Sequence, residues 1–430
     1  MLDRSNEEQL TSRRLDGDLI LPSYEDYCVS NVPGVASAIL GFPPAGKSQL
    51  LLQRISREVD IDNVQNVVLL VLDGFGFDAW TKQVADGGFF QSVTEGGLVL
   101  PITTVFPSTT AAALTSINTG LTPQEHGLPE WFVYMKELDE IIATLPFTPM
   151  GSNRGDSLVG KVSPTILLSA ESVHSRMRRS GIDSVALLPA GIARRAYSKL
   201  LFRKGSRIVP YGSLAGFATS LKKRLAGLRN KSLVYAYWDS IDISGHDYGP
   251  DSDETQAELS ALSYVLKKEV VDKLDRETAR KTLLLVTADH GQIKVNPEDT
   301  VYLNRFRRVV SAFAKSKAGK EILPSWSPRD VALYIKEEEV DEIQSRLIKL
   351  LGDKALVLKT SEAIHAGLFG TGRPSRRFVE RAGNLLILSR RNNLIWYRHP
   401  AGDEFDLLGM HGGLTRNEML IPLAAARLST

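Results

Sequence analysis

Three short apolar runs in this chain each end in chemically active residues. "VVLLVL" (67–72) runs into Asp73-Gly74, "SLVYAYW" (232–238) into "DSIDISGHDYGP", and "TLLLV" (282–286) into "TADHGQ". Val- and Leu-rich runs of this length, bounded by Gly or Asp, read as strands covered on both faces, as in a parallel sheet. Helical patterns lie between them, such as "TAAALTSI" (110–117) and "ETQAELSALSYVLKKEVVDKL" (254–274). Strands alternating with helices predict an α/β fold, a mostly parallel sheet with helices on both faces. Ligands in such folds bind beyond the carboxyl ends of the strands, where these Asp and His residues fall.

Composition sets outer bounds. The 430 residues suffice for two or three domains, and 52 Lys and Arg against 50 Asp and Glu give no bulk charge that points to nucleic acid or membrane. A single cysteine, Cys28, excludes an internal disulfide and fits a reducing, cytoplasmic compartment. The opening "MLDRSNEEQLTSRRLDGD" has no signal-peptide core, and no run approaches the roughly 18 apolar residues of a membrane span.

Three units are expected. Residues 1–60 read as a helical extension packed on a core made of 61–302 and 401–430. Residues 303–400, with "DVALYI", the charged helix "EEEVDEIQSRLIKLLGD", "ALVLKT", "NLLILSR" and "NLIWYRH", read as an inserted α+β subdomain. The stretch 171–231 is rich in Lys and Arg. It fits solvated helix faces, or a basic rim that attracts a phosphate-bearing substrate.

The strand-end residues form a set. Asp73, Asp242, His246, Asp289 and His290 follow the three runs, and His411 opens "HGG" near the C-terminus. A lone Asp after a strand is usually a cap and a lone His is usually structural, but the recurrence at three strand ends argues for a shared role. Carboxylates and imidazoles in these numbers suit zinc, less specifically manganese. Six such ligands can hold two metals about 4 Å apart, as in phosphoryl transfer. "PSTTAAALTSINTG" (107–120) puts Thr109 and Thr110 at a helix start, where free N–H groups and the dipole favour phosphate. Either hydroxyl is a candidate nucleophile, or simply a cap.

The order Asp-Gly, Thr, Asp-x-x-Gly-His, Asp-His-Gly, His-Gly resembles the alkaline phosphatase superfamily. "DISGHDYGP" and "PSTTAAALTSINTGLTPQEHG" are similar to motifs of its type I phosphodiesterase/nucleotide pyrophosphatase branch. The resemblance covers about 65–300 and 409–422. It implies an alkaline-phosphatase-like sheet, and a two-metal hydrolase with Thr110 as nucleophile and a covalent threonyl intermediate. One metal would be held by Asp73, Thr110, Asp289 and His290, the other by Asp242, His246 and His411. Zinc is the usual ion there, with Mn2+ as the second candidate. The substrate implied is a small phosphodiester or nucleotide. The branch's F-P-N after the nucleophile is Ala111-Ala112-Ala113 here, and its phosphate-holding Asn falls at Trp131, a candidate substrate contact. His126, His174, His365 and His399 match no ligand position, while Asp239 and Asp247 could orient a ligand histidine.

Other readings compete. "GFPPAGKS" (41–48) fits the phosphate-loop pattern, but Pro43 and Pro44 remove N–H donors and no strand pattern precedes it, so a surface turn before "KSQLLLQRIS" is expected. A phosphomonoesterase or phosphomutase of the same superfamily would share the metal set. A non-catalytic metal- or nucleotide-binding regulatory protein is the alternative from another class.

Overall fold

The computed structural model describes residues 1–42, 46–400 and 406–428. Its centre is a seven-stranded sheet built from β1 (Asn66–Leu72), β2 (Gly97–Thr103), β3 (Asp183–Pro189), β4 (Arg207–Tyr211), β5 (Ser232–Trp238), β6 (Thr282–Thr287) and β7 (Leu420–Arg427). The spatial order is β2-β7-β6-β1-β5-β3-β4, and only β7 runs against its neighbours. Every residue of β1, β5 and β6 is buried, which is why their sequences are continuous apolar runs rather than alternating ones.

The register sets the site. Leu72 pairs with Trp238 on one side of β1, and Val71 with Thr287 on the other. The three central strands therefore end level, and their following residues emerge side by side. Helix α1 (Thr110–Thr119) is buried along its whole length. Its Ala111–Ala113 run allows close packing, and Thr115, Asn118 and Thr119 donate back to carbonyls of the preceding turn, so no side-chain donor there is left bare. Helix α2 (Ala196–Phe202) follows β3, and helix α3 (Ser240–Tyr248) follows β5.

Residues 303–400 carry a three-stranded antiparallel sheet, Asp330–Leu333, Leu385–Ser389 and Ala355–Lys359 in spatial order, with the helix Val340–Leu351. They have their own apolar cluster, including Phe313, Val331, Ile343, Leu347 and Ile387. "NLIWYRH" departs from that sheet: Ile395–Trp396 pairs instead with Val301–Tyr302. Among residues 1–60, the hairpin Arg14–Asp16 with Leu19–Ile20 accompanies the helices. Phe132–Met135, Glu140–Ala143 and Thr148–Pro149 form a further small antiparallel sheet.

Pro43, Pro44 and Ala45 of "GFPPAGKS" lie outside the described residues. What precedes them is the helix Val32–Ile39, not a strand. Gly46–Ser48 is a short turn into the helix Gln49–Glu58; the Ser48 hydroxyl donates to the Asn31 carbonyl at 2.9 Å, and Lys47 pairs with Glu25 at 3.0 Å. Those two side chains are committed to packing and a surface ion pair.

Candidate active site

Each predicted ligand reaches one small volume beyond the strand ends. Asp73 follows β1, and its amide donates to the Trp238 carbonyl at 2.9 Å. Asp289 and His290 follow β6. Asp242 and His246 are one turn apart on α3 and so share a face, which is the physical content of the Asp-x-x-Gly-His spacing. The intervening glycine has a reason too: a Cβ on Gly245 would lie 1.8 Å from Gln292 Oε1. Gln292 is placed there to donate to Asp242 Oδ1 at 2.8 Å. His411 arrives because Met410 pairs with Ile293, three residues past His290.

Two clusters result. In one, His290 Nε2 lies 3.4 Å from Asp73 Oδ1, 3.3 Å from Asp289 Oδ2 and 3.1 Å from Thr110 Oγ1. In the other, Asp242 Oδ2 is 3.2 Å from His246 Nε2, and Asp242 Oδ1 is 3.8 Å from His411 Nε2. The clusters touch, since the His290 and His411 rings stack with centroids 3.6 Å apart.

All three imidazoles are oriented alike. Nδ1 faces a backbone carbonyl in each: Gly291 for His290 (3.1 Å), Gly409 for His246 (2.6 Å) and Ser108 for His411 (3.1 Å). A carbonyl only accepts, so Nδ1 carries the proton and the Nε2 lone pair points into the cluster, as ligation requires. The orienting groups are thus carbonyls rather than Asp239 or Asp247. Asp239 instead lines the adjoining cavity.

The electrostatics call for a cation. Burial, and then the neighbouring Asp289 and Asp242, push the Asp73 carboxyl well above its ordinary pKa; burial likewise raises Asp289. Burial also acts upward on Asp242, but His246, His411 and His290 together hold it below the usual carboxylate range. Burial pulls His246 down, but Asp242, the Gly409 carbonyl and Asp247 together raise it, whereas burial and His290 depress His411. Asp73 Oδ1 and Asp289 Oδ2 are buried and accept no hydrogen bond. Orphaned carboxylate oxygens that converge on one imidazole nitrogen cost free energy unless a cation satisfies them. The donor set of oxygens and imidazoles fits divalent metal. Asp242, His246 and His411 offer ligand atoms within 4.8 Å of one another, and so do Asp73, Asp242 and His290.

Thr109 and Thr110 separate in role. Neither hydroxyl caps the helix: Thr110 Oγ1 faces His290, while Thr109 Oγ1 is buried without a partner. Two cavities meet at this point. One, of about 570 Å³, is lined by Thr110, Asp73, Leu114, Tyr197 and Phe202; the other, of about 360 Å³, by Thr109, Thr110, His246, Trp326 and His411. Trp131 and Asp242 line both.

Residues 67–414 match the family model described as type I phosphodiesterase/nucleotide pyrophosphatase. The chain belongs to that family. Human ectonucleotide pyrophosphatase/phosphodiesterase family member 5 is 24% identical over 246 residues, which is 56% of this chain. The match spans 48% of that relative, about half its length. The fold of the murine protein of that name superposes with a TM-score of 0.64 at 19% identity, covering 84% of this chain and 88% of the other. Phosphonoacetate hydrolase from Sinorhizobium meliloti gives 0.59 at 19% identity over 84% and 89% of the two chains. The alkaline-phosphatase-like α/β architecture expected of a phosphodiesterase-family chain is therefore the one observed. No helix among the described residues is long and apolar enough to cross a membrane.

Several supporting residues escaped sequence reasoning. The Tyr237 hydroxyl donates to Asp73 Oδ2, and nothing in "SLVYAYW" marks it. Ser108 bridges the Thr110 segment to the His411 loop: its hydroxyl donates to the Gly413 carbonyl (2.7 Å) and accepts from the Gly412 amide (3.1 Å). Glu418 did leave a signal, the capping-box spacing Thr415-x-x-Glu418. His126 and His174 are structural: His126 bonds Ser116 (3.1 Å), and His174 bonds Ser184 and Asn118 (both 2.8 Å).

Proposed function

We propose that the protein is a two-metal phosphodiesterase of the nucleotide pyrophosphatase kind, with Thr110 as nucleophile. One observation carries this reading: the Thr110 hydroxyl stands at the start of a buried helix, 3.1 Å from Nε2 of His290, whose ring stacks on His411 of the second cluster. Asp73, Thr110, Asp289 and His290 would hold one cation, and Asp242, His246 and His411 the other. Bound zinc, or manganese in its place, supplies positive charge for the phosphoryl oxygens and for an ionised Thr110.

The chain's own groups do the rest. The first turn of α1 offers unfilled backbone N–H groups to the phosphate. Thr110 Oγ1 forms a bond to phosphorus as the ester bond to the leaving oxygen breaks, and water then cleaves the threonyl phosphoester. The meeting of two cavities at Thr110 favours a diester over a monoester, because a diester has an organic arm for each. Trp131, between them, contacts both arms. The fold neighbour solved as an inactive threonine-to-alanine variant with AMP, at a TM-score of 0.62 and 19% identity, is compatible with a nucleotide as one arm.

Metal-stripped protein resupplied with zinc or manganese tests the proposal, comparing bis-(p-nitrophenyl) phosphate with p-nitrophenyl phosphate. The expected result is metal-dependent turnover that prefers the diester and is lost in Thr110→Ala while metal still binds. Monoester preference would instead place the chain with the phosphatases or mutases. Metal binding without turnover of either ester would favour the regulatory reading.

A further inference from the structure

Helix α2 has two working faces. Tyr197, Leu201 and Phe202 face the catalytic cavity. Lys199 and Arg203, one turn apart, face away into a groove of about 1400 Å³. That is larger than the roughly 300–1,000 Å³ of a small-molecule pocket. Arg154, Lys204 and Arg377 also line it.

The charges in the groove do not cancel. Its two acidic residues are engaged: Glu171 pairs with Arg179, and Asp156 accepts from the Ala196 amide at 3.1 Å and lies 3.9 Å from Arg195. Arg178 is matched by Asp183 at 3.9 Å. Arg154, Lys199, Lys204, Arg203 and Arg377 have no acidic partner among the described residues. Arg377 Nη1 is a buried donor with no acceptor at all. Like charges held along one groove repel one another, and an anion with several negative groups relieves that.

We propose that this groove binds a linear chain of phosphates. No aromatic residue lines it, so it has no platform for stacking bases and recognises charge spacing rather than base identity. Gly155 lines both this groove and the catalytic cavity, so the wall formed by Arg154–Asp156 is shared. A bound chain has one end beside that cavity. The inference concerns binding and stands apart from the proposed reaction.

The two sources of such a ligand are a single-stranded oligonucleotide and inorganic polyphosphate. The test uses fluorescein-labelled oligo-dT and labelled polyphosphate on the Thr110→Ala protein, so that turnover cannot consume a probe. Titrations over a range of salt should give a log–log slope of about −3.5 for the oligonucleotide, from five phosphates at about 0.7 each. Lys199→Glu/Arg203→Glu/Lys204→Glu should weaken binding at least about tenfold at low salt and flatten the slope by about 2. The tighter of the two probes names the source. Lys223→Glu, a single charge reversal on the exposed face of another helix, should leave affinity within about twofold, while Lys199→Glu alone should weaken binding by more than that. Three results would each overturn the proposal: no binding of either probe, equal losses in Lys223→Glu and the triple variant, or binding to phosphatidylserine vesicles alone.

Discussion

The guanidinium of Arg329 meets the carboxylate of Glu418 in a two-pronged pair, Nε to Oε1 and Nη2 to Oε2, both at 2.9 Å and both side chains fully buried. Glu418 also accepts from the Gly413 amide (2.9 Å) and the Thr415 hydroxyl (2.7 Å), which fixes the loop behind His411. Arg329 precedes the strand Asp330–Leu333. The pair thus ties the region 303–400 to the loop that presents a candidate ligand.

Arg329→Met should leave a buried carboxylate without its countercharge. The expected loss is about 3–5 kcal/mol of unfolding free energy, read from urea denaturation. Arg329→Met/Glu418→Leu should recover much of the loss, because no bare charge remains; a double variant as unstable as the single one would contradict this account.

Tyr237→Phe removes only the hydroxyl that donates to Asp73. Metal affinity, measured by competition with a chelator, should fall about tenfold or more with the fold intact. Unchanged affinity would show that the Tyr237 bond does not position Asp73.

Gly291→Ala would place a Cβ 2.0 Å from the Asn417 carbonyl oxygen, which is backbone and cannot swing away. The strand end must shift, at a cost of about 1–3 kcal/mol. Thermal melting of the metal-free protein should show this loss, independently of any effect on metal binding.

Acid should destabilise the protein through its structural histidines. Burial depresses His126 and His174 from 6.5 to about 3. Both stay neutral in the fold while the unfolded chain takes up protons below about pH 6.5. Their contribution is therefore complete above pH 6.5 and declines as pH falls toward 3, by up to about 1.4 kcal/mol per pH unit for each residue. His174→Gln should make the stability of the protein between pH 6.5 and 5 less steeply dependent on pH than in the parent; equal slopes would mean His174 is not buried neutral.

Trp131→Ala should widen the junction of the two cavities, both of which Trp131 lines. With Thr110 intact, KM for bis-(p-nitrophenyl) phosphate should change more than kcat. A loss confined to kcat would argue that Trp131 acts on the reacting phosphate instead.

The sequence alone determined the layer architecture and the candidate ligands. Strands covered on both faces must be apolar throughout, so "VVLLVL", "SLVYAYW" and "TLLLV" declared themselves. The Asp and His residues that follow them had to emerge at one edge. Asp242 and His246 share a helix face by spacing alone. What spacing could not supply was the partners of these residues, because they come from distant segments and are chosen by geometry. Tyr237 alternates along a buried strand like any other aromatic until the register places it under Asp73. The orienting carbonyls of Gly291, Gly409 and Ser108 belong to no residue type. Arg329 and Glu418 are separated by 89 positions and meet only in the assembled fold. The basic groove likewise needed α2 in place, since only the helix divides Lys199 and Arg203 from Leu201 and Phe202. Local chemistry is written along the chain, whereas charge balance and hydrogen-bond satisfaction are properties of neighbours in space.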